Sequence, residues 1–164
     1  MDTQRTLKRV RILLILFTLG LLAAGLTAFP LEWELNILKQ VFVDNTSIAN
    51  IIPGLSDWIA YVHRGITETY RAFPFMAYGT DWLGFAHIVI AVAFVGPIRD
   101  PIRNVWGIEF GMIACVLLIP LALIAGPLRG IPFGWLLIDI SFGVIGFVPL
   151  WLARRSIRQP PARG

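Results

Sequence analysis

Residues 105–126 read VWGIEFGMIACVLLIPLALIAG. A single charged side chain, Glu109, interrupts 22 residues that are otherwise apolar or small. As an α-helix this stretch rises about 33 Å, close to the thickness of a bilayer's hydrocarbon core. A charge at mid-bilayer costs at least ~2.5–3.5 kcal/mol, so such residues turn to a bundle interior, a cavity or the interface.

Working outward, residues 11–29, 81–98 and 135–153 repeat the pattern. Residues 12–29 carry no ionisable side chain, whereas His87 lies in the second stretch and Asp139 in the fourth. The breaks between stretches have chemical causes. Pro30 ends the first. Gly96, Pro97 and the run Arg99-Asp100-Pro101-Ile102-Arg103-Asn104 separate the second and third. Gly126, Pro127, Gly130 and Pro132 separate the third and fourth. Such short connections make neighbouring helices antiparallel. Pro120 and Pro149 fall inside spans, where kinks are expected rather than breaks. The expected fold is all-α: one membrane domain over 1–164, a bundle of four transmembrane helices with an amphipathic interfacial helix on its outer side.

Composition agrees. Of 164 residues, 57% are hydrophobic and 15% charged, and the mean hydropathy is +0.74. A soluble domain of this size has too high a surface-to-volume ratio to hide that much apolar surface. The net charge of +4 does not indicate nucleic acid. Its basic residues cluster at the ends of the apolar stretches, which is a topology signal. Ten of the fourteen Lys and Arg residues fall in segments on one side: Arg5, Lys8, Arg9, Arg11, Arg99, Arg103, Arg154, Arg155, Arg158 and Arg163. Lys39, Arg64, Arg71 and Arg129 fall on the other. Both termini are therefore expected in the cytoplasm. The basic start and apolar run resemble a secretory signal, but Leu26 occupies the position where a small residue precedes cleavage, so an uncleaved first helix is expected. Cys115 is the sole cysteine, so no intrachain disulfide forms.

The outer segment 30–80 is the one substantial piece outside the spans. A helix is expected over 56–72, capped by Ser56 after Pro53-Gly54. Ile59, Val62, Ile66 and Tyr70 form its apolar stripe, with Asp57, Arg64, Glu68 and Arg71 opposite. Arg64–Glu68 and Glu68–Arg71 are spaced to pair across turns. Such a helix lies along the membrane surface, and His63, beside the stripe, is expected to point toward the bundle.

His87 shares a helix face with Gly84 and Ala91, and Asp139 with Gly143 and Gly146. Small residues let membrane helices approach closely, so both ionisable groups belong on packing faces. Both lie roughly 6–9 Å below the outer boundary at 1.5 Å per residue, so a His87–Asp139 hydrogen bond is expected. Asp81 at the mouth of the same helix, Arg129 in the facing loop and His63 above complete a polar outer-leaflet pocket. Three readings compete for it. In the first, the residues only satisfy one another and fix register. In the second, they hold a ligand or substrate, with His87 as base or hydrogen-bonding group oriented by Asp139. A metal on His63, Asp81, His87 and Asp139 has no tight ligand spacing behind it, and none is expected. Glu109 points roughly 160° away from the Gly107/Gly111 face at 100° per residue. It is expected to snorkel or to form a structural ion pair with Arg154, Arg155, Arg103 or Arg11, and a proton-relay role is the alternative reading. No phosphate loop, HExxH or paired-cysteine motif is present, and Cys115 has no base near it in sequence.

The stretch from Ala77 to His87 (AYGTDWLGFAH), with Gly96–Asn104 (GPIRDPIRN) and Ile108–Ile113 (IEFGMI), resembles a family of small bacterial four-span membrane proteins. The resemblance covers about residues 56–155. It implies a location in the bacterial inner membrane and transfers no activity and no catalytic residue.

Three functions are open at this stage. The first is a binding or accessory protein holding an amphiphile, a lipid or quinone, or a partner's helix in the outer-leaflet pocket. The second is a small membrane enzyme using His87 and Asp139 for proton transfer on a lipid-like substrate. The third is a structural subunit of a larger membrane complex. The cofactor is unknown, and the expected partners are the bilayer and membrane proteins, with no nucleic acid.

Overall fold

Helices form almost everywhere in the residues that the computed structural model describes, which are 3–45, 50 and 53–158. In chain order they are α1 (Thr3–Ala28), α2 (Leu31–Phe42), α3 (Pro53–Ala72), a 3₁₀ turn at Pro74–Met76, α4 (Ala77–Ala93), α5 (Val95–Arg99), α6 (Val105–Leu128) and α7 (Phe133–Arg158). No strand occurs among the described residues. Four stretches are long and apolar enough to cross a membrane: Gln4–Ala28, Pro74–Arg99, Val105–Leu128 and Phe133–Arg158. Their apolar side chains are largely uncovered by protein; Leu121 is 66% exposed and Ile145 67%. Surfaces of that kind need lipid as their solvent. The chain is an all-α, multi-pass membrane protein.

The helices outrun the expected spans. α1 begins at Thr3 rather than Arg11, so the basic N-terminal residues are already helical. α7 continues to Arg158, which turns the start of the expected tail into more than one further helical turn. Backbone hydrogen bonding continues past the point where the apolar pattern stops, because polar residues at an interface still satisfy a helix. α6 and α7 run unbroken through Pro120, Pro127 and Pro149.

The chain divides into two compact units, residues 1–22 with 89–164, and residues 23–88. In the first, Val10, Leu14, Phe94, Ile108, Cys115, Leu150 and Ala153 form the buried core, and the Phe17 and Phe94 rings meet at 4.8 Å between centroids. Helices α6 and α7 pack along each other. At Gly143 a Cβ would sit 2.8 Å from the backbone oxygen of Cys115, so these two backbones touch. Two turns build the helix connections. Ile131 N–H donates to Gly126 O and Gly130 N–H to Pro127 O, with Gly130 at φ 69°. This is a Schellman ending, which needs a residue that accepts left-handed backbone. Between α5 and α6, the Asn104 amide donates to Gly96 O and Asp100 O, and Arg103 N–H donates to the Asp100 carboxylate.

In the second unit, α2 and α3 pack side by side, burying Leu35 and Ile59. α3 has the expected faces: Ile59 is buried, Val62, Ile66 and Tyr70 are half-buried, and Asp57, Arg64, Glu68 and Arg71 are exposed. Three details differ from expectation. The helix starts at Pro53, so Ser56 lies in its first turn, and its hydroxyl donates to Phe42 O at 2.6 Å, tying α3 to the end of α2. The Arg64–Glu68 and Glu68–Arg71 spacings form no ion pair among the described residues; solvent competes well with exposed pairs of this kind. α2 itself had no sequence forecast. Its Glu34 carboxyl is raised above the ordinary range by burial, and Lys39 pairs with Asp44 at 2.9 Å near its C-terminus.

Candidate functional site

His87 stands where α1 and α4 come closest within the second unit. A Cβ on Gly25 would lie 2.9 Å from both Gly84 O and the His87 Cβ, and one on Gly84 would lie 2.7 Å from Gly25 O. The two helices thus meet backbone to backbone, with the Phe29 ring also against Gly84. Such contact is a device of membrane helices, which gain little from the hydrophobic effect and associate through close packing. It sets His87 half-buried beside a helix contact. The expected small-residue face therefore exists at Gly84, and its partner is Gly25.

The imidazole is oriented by its own helix. Nδ1–H donates to Leu83 O at 2.8 Å. A carbonyl only accepts, so in the neutral ring Nε2 carries the lone pair and presents an acceptor. Within its unit Nε2 makes no hydrogen bond to the described residues. The same holds for the carboxylate of Asp81, half-buried one and a half turns earlier. Above them, Thr80 donates to Ala77 O at 2.8 Å and Tyr70 donates to Thr80 Oγ1 at 3.1 Å, which pins the end of α3 to the start of α4.

His63 departs from expectation. Its Nε2–H donates to Asn36 Oδ1 on α2 at 2.7 Å, so the ring turns to a helix absent from the sequence forecast. Arg129 and Asp139 belong to the first unit. Arg129 is exposed at the end of α6, where its backbone N–H closes the helix on Ala125 O and Gly126 O. Asp139 is half-buried on α7, one turn before Gly143 and on the face that meets Cys115. Within its own unit it makes no hydrogen bond to the described residues.

Glu109 is paired. Its Oε1 accepts from Arg154 Nε at 2.7 Å and lies 2.6 Å from Nη2. Gly107 and Gly111 serve a different contact: Gly107 lies under Pro97, and Gly111 under Phe94 and Leu150. The Glu109–Arg154 pair walls a cavity of about 400 Å³, completed by Met112, Trp151, Arg155 and Arg158. Sequence reading put the arginines in a topology count and did not join them to Trp151. The available signal was spacing: Trp151, Arg155 and Arg158 stand at i, i+4 and i+7 and share one face of α7. No group of three or more His, Cys, Asp and Glu side chains among the described residues is arranged to hold a metal ion.

Comparison with known proteins returns no matching family model, curated protein or solved structure.

Proposed function

We propose that this chain is an integral inner-membrane binding or accessory protein that holds an amphiphile, a lipid or quinone, or a partner helix, in a polar outer-leaflet pocket at His87, with both termini in the cytoplasm. The observation that carries the reading is the 2.8 Å contact of His87 Nδ1 with Leu83 O, which can only be an Nδ1–H donating to a carbonyl. A half-buried imidazole with Nδ1 occupied offers one acceptor beside the close contact of Gly25 and Gly84. That matches a ligand whose polar group donates a single hydroxyl proton and whose body is apolar, such as a quinol or a lipid alcohol. The Lys and Arg asymmetry supports the orientation.

Native mass spectrometry of the gently solubilised protein tests this. A retained lipid or quinone adduct is expected for the wild type. His87→Gln, which keeps an acceptor, should retain it; His87→Leu should weaken retention roughly fivefold to tenfold, the worth of one net hydrogen bond. An adduct that persists unchanged in a folded His87→Leu, or no adduct at all, would count against the reading.

A second reading shares the same observation. An imidazole oriented through Nδ1–H is also how a general base is held. Glutamine accepts a hydrogen bond but takes up no proton. Turnover of a lipid-like substrate that disappears in His87→Gln while the ligand is still bound would favour an enzyme.

A further inference from the structure

The cavity at Glu109 has a charge pattern that the reading around His87 does not use. Three arginines and one carboxylate line it. Glu109 is committed to Arg154 through two nitrogens of the same guanidinium. That leaves Arg155 and Arg158 without a carboxylate partner among the described residues. Arg155 is nonetheless held in place, its Cζ 5.4 Å from the centroid of the Trp151 ring. Met112 and the Trp151 indole give the same cavity an apolar wall. Trp151 and Trp106, exposed at this end of α7 and α6, mark the level of a membrane–water interface. Two uncompensated guanidiniums beside an apolar wall, at the depth of headgroups, make a cavity for an anion that carries its own apolar body. Its volume of about 400 Å³ is within the range of small-ligand sites.

We propose that this cavity binds the headgroup of an anionic glycerophospholipid from the adjoining leaflet. Arg155 and Arg158 contact the phosphate. Trp151 and Met112 contact the glycerol and first acyl carbons. The Glu109–Arg154 pair is a neutral wall that keeps Glu109 from repelling the phosphate. The site shares no residue with the one proposed around His87. Free phosphate has the same charge chemistry, but it would leave the apolar wall unused.

The test is native mass spectrometry of the full chain titrated with phosphatidylglycerol, with phosphatidylcholine of the same acyl chains, or with inorganic phosphate as competitor. The wild type should prefer phosphatidylglycerol about 25-fold. Each arginine near a membrane surface contributes roughly a fivefold factor toward anionic lipid. Arg155→Gln/Arg158→Gln should therefore lose about 25-fold and bind the two lipids alike. Arg5→Gln/Lys8→Gln removes the same charge elsewhere and should leave the preference intact. If the double variant does not fold, Arg158→Gln alone, at the exposed last residue of α7, should lose about fivefold. Three results would overturn the proposal: no preference in the wild type, equal loss in the Arg5/Lys8 variant, or displacement of the lipid by millimolar inorganic phosphate. The first would leave no anionic-lipid site, the second would reduce the effect to diffuse surface charge, and the third would make the cavity a free-anion site.

Discussion

Glu109 and Arg154 lie 45 positions apart and meet through one carboxylate oxygen and two guanidinium nitrogens. Neither is fully buried; their side chains are 33% and 18% exposed. Breaking the pair by removing one partner should therefore cost less than for a fully desolvated pair, and more than for a surface pair open to water. Removing Arg154 alone strands a half-buried carboxylate, so Arg154→Leu should destabilise the protein by about 1–3 kcal/mol. Glu109→Gln should cost less, since the amide oxygen can still accept from Arg154 Nε. The double variant should cost less than the sum of the two, with a coupling of about 0.5–3 kcal/mol. Thermal unfolding of the four proteins in one detergent checks this, and strict additivity would show that the contact contributes nothing. Sequence spacing named Arg154 as one of four candidate partners for Glu109. Only the rotation of α7 about its axis selects among them.

At the level of elements, glycine is the residue whose role depends most on its neighbours. Gly143 sits with the Cys115 carbonyl 2.8 Å from where a Cβ would be, whereas Gly20 on α1 has nothing within 4 Å. Gly143→Val should push α7 off α6 and cost about 1–3 kcal/mol, as overpacking does. Gly20→Ala meets no neighbour and removes backbone freedom from the unfolded chain, so it should stabilise by about 0.5–1 kcal/mol. Melting temperatures of the two variants should move in opposite directions; a shared direction would refute the packing assigned to one of them. The face of Gly143 was legible from its spacing to Asp139 and Gly146. The α2–α3 pair was only half legible. The apolar stripe of α3 stands out over several turns, but α2 is 12 residues long. A short helix with acidic residues in its first turn looks like a loop until Leu35 is seen against α3.

For the whole molecule, orientation is the property that charge counting sets most directly. Arg129 is exposed in the turn between α6 and α7, and Gln4 is exposed near the start of α1. With Cys115→Ser as background, Arg129→Cys should react with an impermeant thiol reagent added to intact cells. Gln4→Cys should react only after the membrane is opened. The reverse pattern would invert the topology, and would move the cavity at Arg155 and Arg158 to the outer leaflet.

The sequence by itself determined the class of fold and the number of long apolar helices. In hydrocarbon every backbone donor and acceptor must be satisfied within its own segment, so length and apolarity alone specify a spanning helix. The sequence also marked His87, Glu109 and Asp139, because a charge or polar group in such a segment is costly wherever it points. Only the tertiary structure decided what these groups meet. It assigned Glu109 to Arg154, gave the His63 ring to Asn36, and set Gly25 against Gly84 beside His87. It also drew Trp151, Arg155 and Arg158 around one cavity with Met112. Those outcomes depend on the rotation and register of helices packed from distant parts of the chain. A local hydrophobic pattern does not encode them, since every rotation of a largely apolar helix looks nearly the same to lipid.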